Sequence, residues 1–181
     1  MILKDHKLIS DRIQIVDGSQ VLVQHLPRSI AFVSPKHKPK RAIKFSLLVD
    51  AKGTPLSVVL GTANQHDSSL LFDTLSSSLL KPQDSLGREL LGDKGYIGPR
   101  QEITANVNGL VGIFPPRKNQ LNRLKASSLN KLKQHRWKVE RTISWLKSLR
   151  RLKYCYERSF ESFQALLELG CLMISVRKIM A

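Results

Sequence analysis

The stretch that most constrains the fold is Leu90-Leu91-Gly92-Asp93-Lys94-Gly95-Tyr96. The leucines read as a short buried strand that ends at once in a carboxylate, a cation and a glycine turn. Helix signals follow, with Pro99 just after Gly98. A carboxylate at the carboxyl end of a buried strand sits where open α/β sheets place their chemistry. It is costly to hold there without a partner, and a metal ion is the usual one. The alternative is that Asp93 caps the turn into the next helix.

At 181 residues the chain is expected to form one domain, residues 1–181, with a single core. The hydrophobic fraction of 41% argues against disorder. The outlier is the net charge of +16, with a pI near 10.3. Such a field attracts polyanions, nucleic acid first and an anionic membrane surface second. A basic ribosomal or packaging protein would share it without any catalysis. Cys155 and Cys171 form no CxxC pair and match no zinc pattern, so a reduced intracellular compartment is expected. Met1 to Arg12 is too polar for a secretory signal. The longest apolar run, Leu169 to Val176, is broken by Gly170 and Ser175 and is too short to span a bilayer.

Residues 13–21 alternate apolar and polar around Asp17-Gly18-Ser19. They read as a strand carrying Asp17, although Asp-Gly is also a strong turn signal. Residues 24–41 read as a basic loop with His25, Arg28, Lys36, His37, Lys38, Lys40 and Arg41, interrupted by Pro27, Pro35 and Pro39. Residues 43–49 and 56–60 read as a hairpin. Asn64-Gln65-His66-Asp67 then opens a helix expected to run to about Leu80, capped by Asp67 or Ser68. His66 and Asp67 read as capping residues, with a metal or base pair as the alternative. A strand over 89–92, a helix over 99–105, a turn at Asn108-Gly109 and a strand over 110–114 follow, stopped by Pro115-Pro116.

From Arg117 to Lys153 thirteen residues are Lys or Arg, and Glu140 is the sole acid. The spacing predicts one helix over 126–149, with Leu132, Val139, Ile143 and Leu146 on the core face. Lys133, Arg136, Glu140, Ser144 and Lys147 form a stripe beside it. Glu140 could simply pair with Arg136 or Ser144 at i,i+4, worth about 0.2–0.5 kcal/mol for an ion pair. A helix that relied on such pairs would carry more than one acid, so a metal ligand beside a bound phosphate backbone fits better. The last helix, over 160–179, is apolar nearly all round and is expected to be mostly buried. Antiparallel strands first and βα units later imply a mixed α/β sheet with helices on its faces.

Asp17, Asp93 and Glu140 thus fall on three different elements. Two Mg²⁺ ions about 3.5–4 Å apart need such carboxylates to bridge and flank them. Phosphoryl transfer asks the protein for little beyond positioning and charge, and the cations would hold the DNA backbone.

In these residues the chain resembles the DDE transposases of bacterial insertion sequences, over about Ile13 to Ile179. The resemblance rests on Val16-Asp17-Gly18-Ser19, Leu47-Leu48-Val49-Asp50 with Gly53 and Pro55, and His66-Asp67. It continues through Asp93-Lys94-Gly95-Tyr96, Pro115-Pro116-Arg117, and Arg136 with Glu140 and Lys147. It implies a ribonuclease-H-like mixed five-stranded sheet flanked by helices. It implies Asp17, Asp93 and Glu140 as catalytic metal ligands for Mg²⁺, with Mn²⁺ as substitute. It further implies Arg136 and Lys147 as DNA contacts, to which Lys94 and Lys133 are added here. The activity implied is cleavage of DNA at transposon ends and strand transfer to target DNA.

Two departures stand out. Lys133 occupies the position three before the Arg where the family pattern carries Tyr. Only sixteen residues precede Asp17, where such transposases usually carry a DNA-binding region. The expectation is therefore the second frame of a frameshifted transposase, working with a separately encoded N-terminal fragment, or a decayed remnant. The partners implied are transposon-end and target DNA and a homodimer on paired ends. The chain is expected to be cytoplasmic and nucleoid-associated, with no membrane. The rival readings are a non-catalytic basic DNA-binding protein and a nuclease acting on RNA–DNA hybrids.

Overall fold

The computed structural model describes residues 9–10, 12–34, 39–80, 87–116 and 126–180. Expectations for residues 1–8, for Lys36, His37 and Lys38, and for residues 117–125 lie outside the described residues.

The alternating segment forms β1 (Ile13–Val23), which runs straight through Asp17-Gly18. The turn alternative gives way because β-formers lie on both sides of the pair and β3 (Arg41–Asp50) matches it residue for residue, Asp17 to Leu47 and Gly18 to Ser46. β4 (Pro55–Thr62) completes the expected hairpin. β5 (Arg88–Leu91) joins β1 in parallel, and β6 (Leu110–Ile113) joins β5 in parallel. The five long strands therefore run β4-β3-β1-β5-β6, antiparallel in the first half and parallel in the second. Two strands of two residues each extend this sheet. β2 (Phe32–Val33) pairs with β3, and β7 (Tyr154–Cys155) pairs with β1. β2 lies inside the segment read as a loop; two residues are too few to produce a periodic signal.

The helices depart from expectation in three places. The segment after β4 is a 3₁₀ turn, Asp67–Leu70, and a short helix α1 (Leu71–Ser76), which ends before Leu80. Its cap is His66, whose ring accepts from the Ser68 N–H, rather than Asp67 or Ser68. α2 (Pro99–Val107) starts on proline, as its fixed φ allows. The long basic helix is divided at Arg136 into α3 (Ala126–His135) and α4 (Trp137–Ser148). Its apolar stripe is buried as expected, with Leu132, Val139, Ile143 and Leu146 all in the core. α5 (Arg150–Lys153) leads into β7, and α6 (Phe160–Ile179) closes the chain.

Two apolar cores lie on the two faces of the sheet. One gathers Ile15, Phe45, Leu47, Val49 and Leu91 under Val139, Ile143, Leu146, Phe163 and Leu167. The other gathers Val16, Leu48 and Leu90 under Leu71, Leu75, Tyr96 and Ala105. Each fully buried large side chain contributes roughly 1.5–3 kcal/mol. α6 is not mostly buried. Phe163, Leu167, Gly170 and Ile174 face the core, while Leu169, Leu172, Met173, Val176 and Ile179 stay exposed. One sheet face offers a single contact stripe to a helix, so hydrophobicity in excess of that stripe has nothing to pack on. Gly170 lets α6 come close, since a β-carbon there would meet Leu152 Cδ1 at 2.6 Å. Gln164 covers the β4 edge, taking the Leu60 N–H at 3.2 Å and donating to the Val58 carbonyl at 2.8 Å.

Candidate active site

The β1–β5 register positions the first two carboxylates. Ile13 lies beside Glu89, Gln14 beside Leu90 and Ile15 beside Leu91. That register directs Asp17 and Asp93 to the same side of the sheet's end, and the charge of Asp93 acts on Asp17. β5 ends at Leu91, so Asp93 stands just beyond its carboxyl end. There it caps the 3₁₀ turn Lys94–Tyr96, accepting the Gly95 N–H at 2.6 Å. The capping alternative is thus realised for Asp93, and it orients the carboxylate beside Asp17. The Gly18 N–H donates to Asp17 Oδ1 at 2.8 Å.

A third aspartate closes in from the 3₁₀ turn before α1. Asp67 Oδ1 occupies the space a β-carbon on Gly18 would need, so any larger residue there would displace the Asp67 carboxylate. Lys44 Nζ holds Asp67 at 3.1 Å and donates to the Gln65 carbonyl at 2.7 Å. Burial pushes the Asp17 carboxyl up to about 6; the Gly18 N–H and Arg136 oppose this, and the charges of Asp93 and Asp67 add to it. Beneath lies Tyr96, fully buried and stacked on Phe114 with ring centroids 6.1 Å apart. Burial, then the charges of Asp67 and Asp17, push its phenol well above the usual range, so it remains neutral. The buried Ser46 hydroxyl beside the phenol opposes this rise.

Glu140 stands apart from this cluster. It is exposed in the first turn of α4, with Oε1 3.1 Å from Arg136 Nε. That Nε–H is not aimed at the carboxylate, so the contact is an ion pair without a well-formed hydrogen bond. The i,i+4 pairing is therefore the observed state. Arg136 is the link between the two groups, because its charge also acts on Asp17. Among the described residues no group of three or more His, Cys, Asp or Glu side chains is gathered closely enough to hold a metal ion. The structure brings Asp17 and Asp93 together and leaves Glu140 on Arg136.

The expected DNA contacts divide in the same way. Lys94 and Lys133 are exposed, Lys94 immediately after Asp93. Lys147 donates to the Gln20 carbonyl at 2.8 Å, which ties α4 to β1. Two features went unread in the sequence. Lys44 is a buried cation set between the apolar Ile43 and Phe45 of β3, and that contrast was its signal. Trp137, Arg141 and Trp145 recur at i,i+4, and the Arg141 guanidinium lies 4.7 and 4.6 Å from the two ring centroids. Neither cysteine is in a disulfide. No helix among the described residues is long and apolar enough to cross a membrane.

A mixed sheet with Asp17 within its central strand, Asp93 just past the parallel neighbour, and Glu140 on a late basic helix is a ribonuclease-H-like fold. Residues 9–176 match the family described as the Transposase DDE domain, and the chain belongs to that family. The family as a class carries out metal-dependent phosphoryl transfer on DNA. The chain is 30% identical over 148 residues to the Burkholderia cepacia protein named "Putative transposase for insertion sequence element IS402". That match covers 78% of this chain and 66% of the relative, so the chain spans slightly less than two thirds of it. In three dimensions the chain resembles the piggyBac transposase of a synaptic complex with hairpin DNA, at a TM-score of 0.58 and 9% identity. It also resembles a chain of the simian T-cell lymphotropic virus intasome, at a TM-score of 0.51 and 14% identity. Each likeness covers 92% of this chain, with 47% and 49% of the other chains respectively. At these identities they establish the fold.

Proposed function

We propose that this chain is the catalytic domain of an insertion-sequence transposase that cleaves DNA at transposon ends and joins the resulting 3′-hydroxyl to target DNA. The observation that carries the reading is the convergence of Asp17 within β1 and Asp93 just past the parallel strand β5, close enough for the charge of Asp93 to act on Asp17. Asp17 is held there as a reluctant anion beside two further carboxylates. Such a donor set is hard, oxygen-only and short of positive charge, and it fits a hard divalent cation. Asp17 and Asp93 would hold Mg²⁺ or Mn²⁺, and Glu140 would join them on leaving Arg136. When bound, the ions activate the attacking oxygen and stabilise the charge of the leaving one.

The chain's own residues do the rest. The Gly18 N–H and the Gly95 N–H hold the two carboxylates at fixed angles. Lys44 keeps Asp67 against Gly18 and offsets part of the local negative charge. Tyr96 and Phe114 form an apolar floor that keeps water off the back of the aspartates. Lys94, Lys133 and Arg136 offer cations for DNA phosphates around the carboxylates. A phosphate that takes up Arg136 releases Glu140 from an ion pair worth only about 0.3–0.5 kcal/mol. DNA as partner accords with the net charge of +16 and with the DNA named in the piggyBac complex.

The test is strand cleavage and strand transfer by the wild type and Asp93→Asn, in Mg²⁺ or Mn²⁺, on DNA bearing the element's own terminal repeats. Activity lost in the variant with duplex binding retained supports the reading. A second reading, a DNA-binding protein without catalysis, is favoured by the Arg136–Glu140 pair and the absence of a three-acid group among the described residues. It predicts binding that weakens with salt and ignores divalent metal.

A further inference from the structure

The dipeptide His66-Asp67 straddles the two aspartates of the proposed site. Asp67 lies over Gly18, next to Asp17. His66 lies over Gly95, two residues beyond Asp93. A β-carbon on Gly95 would stand 2.8 Å from Asp93 Oδ1 and 3.7 Å from His66 Cε1, so carboxylate and imidazole flank one small space. The ring's orientation is fixed by its capping bonds. His66 Nδ1 lies 2.7 Å from Ser68 Oγ and 3.3 Å from the Ser68 backbone nitrogen. A backbone N–H can only donate, so Nδ1 accepts, and the neutral ring carries its hydrogen on Nε2. The side chain is solvent-exposed, so that donor is open to a ligand.

The geometry points to His66 as a further catalytic residue, donating its Nε2–H to a non-bridging oxygen of the scissile phosphate, which the divalent ions carried by Asp17 and Asp93 would hold. The inference rests on the transposase reading above. A fixed, uncharged donor beside developing phosphoryl charge acts as an oxyanion-hole donor does, and loss of one such donor typically slows reaction about 10²–10³-fold. Ser68 sets the tautomer, and Lys44 anchors the turn through Asp67 and the Gln65 carbonyl.

Capping and donation can be separated at this position. Asn is a good N-cap with no group that reaches as far as Nε2, so His66→Asn keeps the cap and loses the donor. Gln is a poor cap whose amide NH₂ falls near the place of Nε2, so His66→Gln keeps the donor and loses the cap. Single-turnover cleavage of terminal-repeat duplex should slow about 10²-fold or more in His66→Asn, with duplex affinity unchanged, and by less than 10-fold in His66→Gln. The reverse order, or equal rates in the two variants, overturns the inference. ¹⁵N spectra of the imidazoles, with His66 assigned by its loss in His66→Asn, provide a readout independent of activity. The free protein should show the Nε2–H tautomer, and its Nε2 signal should shift when terminal-repeat duplex is added with Mg²⁺. An Nδ1–H tautomer or an unmoved signal overturns the inference. The parent reading fails separately, if Asp93→Asn cleaves as fast as the wild type or if neither protein cleaves; the spectra then decide the role of His66 alone.

Discussion

Two of the three acids in the proposed triad are held by a sheet and the third by a helix, and the two settings behave differently. Asp17 sits within β1, opposite Leu47 of β3, and Asp93 stands just past the end of the parallel neighbour β5. Their angles are set by backbone N–H groups 2.8 and 2.6 Å away. Glu140 projects from α4 into solvent, and its observed contact is a surface ion pair with a residue of its own helix region. A strand imposes position through its partners on both edges. A helix imposes only a face, and a long side chain on it takes whichever partner is near. The sheet half of the site is thus set before any ligand arrives, and the helix half depends on what occupies Arg136.

This contrast can be broken in four ways. The largest effect is on chemistry. Asp93→Asn should slow single-turnover cleavage by at least about 10³-fold, about 4 kcal/mol of barrier. Glu140→Gln should match it if α4 delivers its carboxylate once DNA is bound. A Glu140→Gln enzyme that keeps most of its rate would confine the metal site to the sheet. Next, Gly18→Ala should destabilise the fold by up to about 3 kcal/mol in urea titrations, because the new methyl drives Asp67 off Gly18. An unchanged midpoint would show that the Asp67 contact is slack.

Third, Asp17→Asn should stabilise the metal-free protein at pH 7 by about 2 kcal/mol, from a shift of about two pH units at 1.4 kcal/mol each, discounted for partial exposure. The sign follows from the raised value. Below about pH 3 the carboxyl is largely protonated both folded and unfolded. Between about 4 and 6 the unfolded chain ionises first, so the wild type loses stability as pH rises. The gain in the variant should therefore fall away by about pH 3, and a gain equal at pH 3 and pH 7 would remove burial of charge as its cause. The smallest effect belongs to the helix. Glu140→Gln should change stability by no more than about 0.5 kcal/mol, and less at high salt. A larger loss would mean that Glu140 is better anchored than one exposed ion pair allows.

Much of this arrangement was legible from local pattern. The alternation around Asp17 identified β1, and the buried stripe Leu132, Val139, Ile143 and Leu146 identified the core side of α3 and α4. The division of that helix at Arg136, the early end of α1 and the cap at His66 were not legible, because each depends on which neighbour the local chain meets. α6 misled for the same reason, since its composition could not show that only one side would find a partner.

The sequence by itself determined the order of the five long strands and of the main helical segments, the basic character of the chain, and the positions of Asp17, Asp93 and Glu140 along it. These follow from periodicity and composition, which act over a few residues at a time. Only the tertiary structure decided that Asp17 and Asp93 stand side by side, that Asp67 and His66 close over the glycines beside them, and that Glu140 pairs with Arg136. Those are contacts between residues far apart in sequence or choices between competing partners. They are settled by strand register, by the space left by absent β-carbons, and by which charges are brought within reach when the sheet and helices pack.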